Sequence, residues 1–332
     1  MAVIARAAIV GGGVIGAGWI ARLVENGIDV YVYDPDPDAI RKVEAVLENS
    51  RHAYAKLTNG PRHREGHIRF CETVSAAVSS AELIVESVPE RLDLKRSVYA
   101  EIEAASGEDV LIASSTSGIM PSDLQSDMAH PERFLVAHPF NPVYLLPLVE
   151  LVAGRATSPG SIELAREIYH SLGMHPLIVK KEIEAFIADR LLEAVWREAL
   201  WLVKDGVATT QDVDDAVRYG FGLRWAQMGV FDTYRVAGGE PGMRHFLAQF
   251  GPCLKWPWTK LMDVPDLDDE LVELIASQSD EQSGHLGIRE MERIRDDNLI
   301  AILHGLRDND WGAGRTLGEH EERLLELSKA PG

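Results

Sequence analysis

Eight residues near the start of the chain, Ile9-Val10-Gly11-Gly12-Gly13-Val14-Ile15-Gly16, restrict its fold more than any other stretch. Val3-Ile4 and Ala7 to Val10 read as a buried strand, and Val14 to Val24 places apolar residues at helical spacing. The glycines of this G-x-G-x-x-G pattern therefore fall at a strand-to-helix turn. Gly11 suits the tight turn, Gly13 lets backbone approach a pyrophosphate, and Gly16 lets the helix lie close to the strand. The helix start then offers the amides of Gly12, Gly13, Val14 and Ile15 to an anion. After Gly27, Asp29-Val30-Tyr31-Val32-Tyr33 alternates as a second strand and ends at Asp34-Pro35. A carboxylate there accepts hydrogen bonds from both adenosine ribose hydroxyls and repels a 2′-phosphate, so the expected cofactor is NAD rather than NADP.

The 332 residues suffice for two domains. Residues 1 to about 180 alternate strand-like and helix-like segments, the pattern of a parallel sheet covered by helices. From Glu182, apolar residues recur at three- and four-residue steps (Ile183, Phe186, Ile187, Leu191, Leu192, Val195, Leu202, Val203), which predicts a long amphipathic helix. Later segments also read as helical. The predicted fold class is α/β: a Rossmann-type doubly wound parallel sheet followed by an all-helical C-terminal domain. The expected divisions are 1–183 for dinucleotide binding, 184–310 for a helical substrate and dimerisation domain, and 311–332 for a C-terminal tail or a last surface helix.

Formal net charge is −19, from 33 basic against 52 acidic residues, which disfavours nucleic acid and anionic membranes as partners. Cys71 and Cys253 form neither a disulfide framework nor a zinc motif, so no metal is expected and a cytoplasmic location fits. The opening residues lack a signal peptide pattern and no tract is long enough to span a bilayer.

A second cluster, His138-Pro139-Phe140-Asn141-Pro142, is followed by Glu150 in the next strand-like run. Prolines restrict the path of the segment and the aim of His138. A histidine held at a strand end beside a cofactor crevice can take a hydroxyl proton, and Glu150 could accept from its other ring nitrogen. Ser117, just past the strand Val110 to Ser114, could donate to a substrate oxygen. Each residue also has an ordinary structural reading, as a strand-end histidine or a turn-capping serine.

Gly11 to Gly16, Asp34, Glu90 with Lys95, Ser117, His138 to Pro142, Leu148-Val149-Glu150 and the helix from Glu182 together resemble the 3-hydroxyacyl-CoA dehydrogenase family over residues 1 to about 305. The resemblance implies an NAD-dependent secondary-alcohol dehydrogenase. In it His138 is the general base, Glu150 its orienting partner and Ser117 a ligand of the substrate oxygen. Glu90, Lys95 and Asn141 match positions near the nicotinamide half of NAD, although Glu90 and Lys95 also read as an exposed ion pair. A homodimer built through the helical domain is implied as well.

Asp189 stands where the family usually has asparagine. It either pairs structurally, with Arg190 or another base, or reads a cationic substrate. Ser87 to Leu92, Pro142 to Pro147, Arg224 to Gly229 and Phe250 to Trp258 are similar to the carnitine-oxidising branch of the family. That implies a small-molecule substrate, L-carnitine, whose quaternary ammonium suits aromatic faces at ~0.5–2 kcal/mol each. Phe140, Tyr144, Phe186, Trp196, Trp225, Phe231, Trp256 and Trp258 are the candidates, most of them expected in the core. The alternatives are a 3-hydroxyacyl-CoA, whose phosphates could meet Arg51, Lys56, Arg62, Arg64 and Arg69, a small sugar acid such as L-gulonate, or an NAD-binding protein without turnover.

Overall fold

A computed structural model describes residues 3–58, 64–238, 240, 242–250, 259, 266, 268–283 and 285–329. Eight strands form one sheet: β1 (Arg6–Val10), β2 (Asp29–Tyr33), β3 (Ile68–Phe70), β4 (Leu83–Glu86), β5 (Leu111–Ser114), β6 (Phe134–Pro139), β7 (Leu148–Ala153) and β8 (His175–Val179). Their order is β3-β2-β1-β4-β5-β6-β7-β8, and the direction of strand succession reverses between β1 and β4. In sheets of this kind the crevice beyond the strand ends at such a reversal is where ligands bind. The connecting helices are α1 (Val14–Glu25), α2 (Ala39–Leu57), α3 (Val74–Val78), α4 (Leu92–Glu103), α5 (Pro121–Leu124) and α6 (Pro159–Ser171).

Strand alternation divides the core between the two faces of the sheet. On β1, Ala7 and Ile9 pack with Trp19, Ile20 and Leu23 of α1, while Ala8 and Val10 pack with Tyr99, Ile102 and Phe134 on the other side.

Two strands, β7 and β8, depart from the expected parallel arrangement and run opposite to the other six. β7 runs antiparallel to β6, whereas the other neighbouring pairs are parallel. Only residues 140–147 separate β6 from β7, too few for the crossover that parallel pairing needs. As a result His138 and Glu150 lie directly opposite one another in the ladder.

The long helix expected from Glu182 begins later, as α7 (Ala188–Lys204). Ala185 and Phe186 take positive φ of 57° and 49°, which no helix accommodates. Side chains hold this break in place. Glu182 accepts from the backbone amide and hydroxyl of Ser122 at 3.0 and 2.6 Å, and Glu150 Oε1 accepts from the Ile187 amide at 2.9 Å. Phe186 is fully buried, which offsets the strain of its backbone. Asp189 accordingly lies in the first turn of α7.

The chain forms two compact units, residues 1–187 with 295–332, and residues 188–294. The second contains α7, α8 (Thr210–Ala216), α9 (Gly222–Ala237), α10 (Gly242–Phe250), α11 (Asp269–Ser283) and the start of α12 (Ile288–Asp308). A capping box between Thr209 and Asp212 starts α8, and the Thr210 amide donates to Gln278 of α11 at 3.0 Å. Tyr234, Phe246 and Phe250 stack with ring separations of 4.7 and 4.9 Å.

Of the two expectations for residues 311 onward, tail or last helix, the structure has the helix, α13 (Gly312–Lys329), and it belongs with the first unit. The remainder of α12 packs there too. Lys56 pairs with Asp297 at 2.5 Å, and His304 Nε2 lies 2.8 Å from the Leu57 carbonyl. Arg307 joins Glu321 of α13 at 3.1 Å. Asn309-Asp310-Trp311-Gly312 marks the turn between α12 and α13, but nothing in the segment's own residues says which unit they return to. Among the described residues, no helix is long and apolar enough to cross a membrane.

Candidate active site

The glycine turn is built for close approach of an anion. Gly11 has a φ of +102° and donates its amide to the Tyr33 carbonyl at 2.9 Å. A Cβ on Gly16 would meet the Gly11 carbonyl oxygen at 1.9 Å, so that position excludes every side chain. A Cβ on Gly13 would meet nothing within 4 Å. Gly13 is also the extended N-cap of α1, with no side chain covering the helix start. Open space before an uncapped helix N-terminus is what a pyrophosphate requires.

Asp34 sits just beyond β2. Its Oδ2 accepts from the Gly12 amide at 2.6 Å and its Oδ1 from the Asp36 amide at 2.8 Å. Each carboxylate oxygen has a second lone pair, so the side chain that fixes the turn can still accept from a ribose. These residues fit a dinucleotide: the α1 start is open to phosphates, and Asp34, which takes the Gly12 amide expected for the anion, keeps lone pairs for an adenosine ribose.

At the ends of β6 and β7, His138 Nδ1 lies 2.9 Å from Glu150 Oε2, with both side chains buried. An ionised Glu150 is an acceptor only, so the Nδ1–H tautomer is the one it selects. The second Glu150 oxygen is held by the Ile187 amide, which fixes the carboxylate at both ends. Two rings frame the imidazole, Phe140 at 5.3 Å and Phe186 at 5.5 Å between centroids.

Ser117 is exposed beyond β5, the strand beside β6, so the topology brings it and His138 to neighbouring strand ends. Its amide donates to Glu90 Oε1 at 3.2 Å, as does that of Gly118, and the Thr116 hydroxyl donates to the same oxygen. Burial pushes the Glu90 carboxyl up, but the Thr116 hydroxyl, the Lys95 charge and the Gly118 amide outweigh it and hold its pKa below the ordinary value.

Lys95 is not part of an exposed ion pair. It is 1% exposed and its ammonium lies 2.8 Å from Glu86 Oε1, with Glu90 Oε2 farther off at 3.3 Å. Glu86 was not singled out from the sequence. Its fully buried carboxylate also accepts from the Val88 amide and from the hydroxyls of Tyr99 and Ser114 at 2.6–2.7 Å. An acidic residue closing the apolar strand Leu83-Ile84-Val85 was the available signal. The carboxylate and desolvation drive the Tyr99 phenol well above its usual pKa, desolvation contributing more.

Several expected contacts fall elsewhere. Tyr144 is a core residue, 4% exposed, edge-on to Tyr54 and donating its hydroxyl to Asp296 at 2.6 Å, so it is withdrawn as a substrate contact. Phe140 is half-buried beside His138, while Asn141 is exposed at the tip of the loop. Phe186 is buried, Trp196 and Phe231 are exposed, and Trp225 packs on Phe221. Trp256, Trp258, Cys253 and Arg62 lie outside the described residues. The basic stretch is largely engaged by the protein itself: Arg51 pairs with Glu65, Lys56 with Asp297, and Arg64 contacts His67.

Two family models match this chain: 3-hydroxyacyl-CoA dehydrogenase, NAD binding domain, over residues 6–183, and 3-hydroxyacyl-CoA dehydrogenase, C-terminal domain, over 186–267. The chain belongs to the 3-hydroxyacyl-CoA dehydrogenase family. The NAD-binding match spans the glycine turn and Asp34, and NAD is the dinucleotide. The L-carnitine dehydrogenase of Mesorhizobium japonicum is 60% identical, over 99% of this chain and 92% of its own length. That of Pseudomonas putida is 50% identical, over 94% and 97%. An L-carnitine dehydrogenase/betainyl-CoA thioesterase of Rhizobium meliloti is 57% identical over all of this chain and 68% of its own length. Among solved family members, an NAD+-dependent dismutase, 5-formyl-3-hydroxy-2-methylpyridine 4-carboxylic acid 5-dehydrogenase, is 30% identical with a TM-score of 0.75, covering 91% of this chain and 98% of its own.

Proposed function

We propose that this protein oxidises the 3-hydroxyl of L-carnitine to 3-dehydrocarnitine, with NAD⁺ as acceptor. The dehydrogenase chemistry rests on one observation above others, the in-register His138–Glu150 pair at the ends of β6 and β7. The substrate rests on the 50–60% identity to proteins named L-carnitine dehydrogenase over almost the whole chain.

Bound NAD⁺ supplies the acceptor for the hydride that leaves the carbinol carbon. His138 takes the hydroxyl proton on Nε2, the nitrogen not held by Glu150. Glu150 keeps the Nδ1–H tautomer and stabilises the imidazolium that forms, without itself becoming protonated. Ser117 donates to the substrate oxygen and fixes the carbinol carbon. Burial of His138 and Glu150 strengthens the stabilisation of the imidazolium, because charge there is little screened by water. Phe140 offers a ring face beside the imidazole, and Asp189 a carboxylate for a cationic substrate.

The same reading includes a cytoplasmic enzyme that self-associates. On the second unit Leu191, Leu192, Trp196, Leu223 and Phe231 are each more than half exposed, an apolar surface that supports a homodimer.

The test presents purified protein with NAD⁺ and, separately, L-carnitine, 3-hydroxybutyryl-CoA and L-gulonate while NADH absorbance is followed. Turnover of carnitine alone supports the reading. Turnover of the acyl-CoA instead would replace it, and silence with all three would leave a binding protein.

A further inference from the structure

α1 carries a polar face that neither the glycine motif nor the catalytic cluster uses. Arg22, in the last turn of the mostly apolar α1, is 4% exposed. Its Nε donates to the Val143 carbonyl at 2.7 Å, one terminal nitrogen to Leu146 at 3.2 Å and the other to Leu172 at 3.2 Å. Val143 and Leu146 belong to the 140–147 loop that follows His138, and Leu172 to the turn before β8. Four residues earlier, and so on the same helix face, Gly18 lies under Val143, where a Cβ would come within 2.9 Å of the Val143 Cβ. Between them Trp19, fully buried, donates its indole N–H to Ser115 at 3.0 Å, and Ser87 donates to the same hydroxyl at 2.9 Å. Ser115 is two residues from Ser117.

Burying a guanidinium is costly, and desolvation lowers the Arg22 pKa accordingly. A methionine would fill similar space without that cost. What arginine adds is a rigid fork that reaches several carbonyls at once, which lysine, a single point donor, does not match.

We propose that Arg22 is a positioning residue that couples the cofactor helix to the catalytic loop, so that occupation of the glycine turn fixes the segment after His138. Gly18 and Trp19 serve the same face, Gly18 by admitting Val143 and Trp19 by holding Ser115 on the Ser117 side. The kinetic part of this proposal rests on His138 and Ser117 acting as described above.

Two measurements test it. In hydrogen–deuterium exchange with NAD⁺ alone, the wild type gains protection in both the glycine turn and residues 140–147. Arg22→Met gains it in the turn only. Equal protection of the loop in both proteins overturns the proposal, whatever the substrate proves to be. In steady-state kinetics, Arg22→Met lowers kcat by ~10-fold or more while KM for NAD⁺ stays within about twofold, because small misplacements of reacting groups cost large factors in rate. Arg22→Lys recovers part of the loss. Unchanged kcat, or kcat and NAD⁺ affinity falling together without recovery by lysine, overturns it. Should Arg22→Met not fold, Gly18→Ala decides, since alanine suits a helix and acts only by pushing Val143. It should lower kcat at unchanged NAD⁺ affinity, and a neutral result counts against the coupling. Absence of carnitine turnover in the wild type would defeat the functional reading alone, because the exchange comparison needs no substrate.

Discussion

His138 and Glu150 face each other across the one antiparallel pair of the sheet, Nδ1 to Oε2 at 2.9 Å, and the ladder itself sets their register. Replacing His138 with glutamine keeps a polar side chain of similar reach but removes the base. We expect kcat to fall by about 10²–10⁴-fold, with the NAD⁺ dissociation constant within about twofold of wild type. Stopped-flow and binding titration separate the two, and an ordinary kcat places the base elsewhere.

Asp34 holds the Gly12 amide, and its assignment to the adenosine ribose can be tested. Asp34→Ala should lower kcat/KM with NAD⁺ and relax the preference over NADP⁺ by ~10-fold or more, since the charge that repels a 2′-phosphate is gone. The ratio of kcat/KM for the two cofactors is the measurement, and an unaltered ratio contradicts the assignment.

The Glu86–Lys95 pair is buried on both sides. Removing one charge leaves the other without its counterion, so Glu86→Gln should destabilise by about 3–5 kcal/mol. Adding Lys95→Met to it should recover part of that loss. Urea denaturation of the single and double variants reads this directly, and a single-variant cost under ~1 kcal/mol would show the charge is not needed.

Glu90 supplies a pH signature. A carboxyl whose folded pKa is depressed contributes stability that is present above its unfolded value, ~4.3, and disappears as pH falls through the folded value. Acidification from pH 5 should therefore destabilise the wild type more than Glu90→Gln, whose curve lacks this contribution. Parallel curves from thermal melts would mean that Glu90 is not held as an anion.

Asp189 opens α7, where the helix N-terminus favours its charge by ~0.3–1 kcal/mol. If it also reads a cationic substrate, Asp189→Asn should raise KM for L-carnitine several-fold, with less effect on a neutral 3-hydroxy acid of the same length. Equal changes for both would assign it to the helix alone.

The dinucleotide turn was legible because its geometry permits few residues: Gly11 needs its positive φ and Gly16 its missing Cβ, and both needs show as glycine. His138 and Glu150 were legible as a candidate pair from adjacent strand-like runs, and as base and partner through the family resemblance, but the register that joins them comes from the reversal of β7. The break at Ala185–Phe186 was hidden because neither residue signals a left-handed backbone, and the donors and acceptors that impose it, Ser122, Glu150 and Glu182, are distant in sequence or shared with other tasks. Tyr144 read as an aromatic near the base, yet its partner, Asp296, comes from a segment 152 positions away. Glu86 and Arg22 each appeared as one charge in an apolar run, a signal that does not say which atoms lie opposite.

The antiparallel ladder of β6 and β7 has a consequence for how such an enzyme can diversify. Five residue pairs, Leu135 with Ala153 through Pro139 with Val149, set His138 opposite Glu150 through the ladder itself. Exposed positions of the turn, such as Asn141, can then change identity while the pair stays in alignment, whereas Val143, Tyr144 and Leu145 are tied to the core. Alignment is inherited through the sheet, and the turn is free to vary only where it faces solvent.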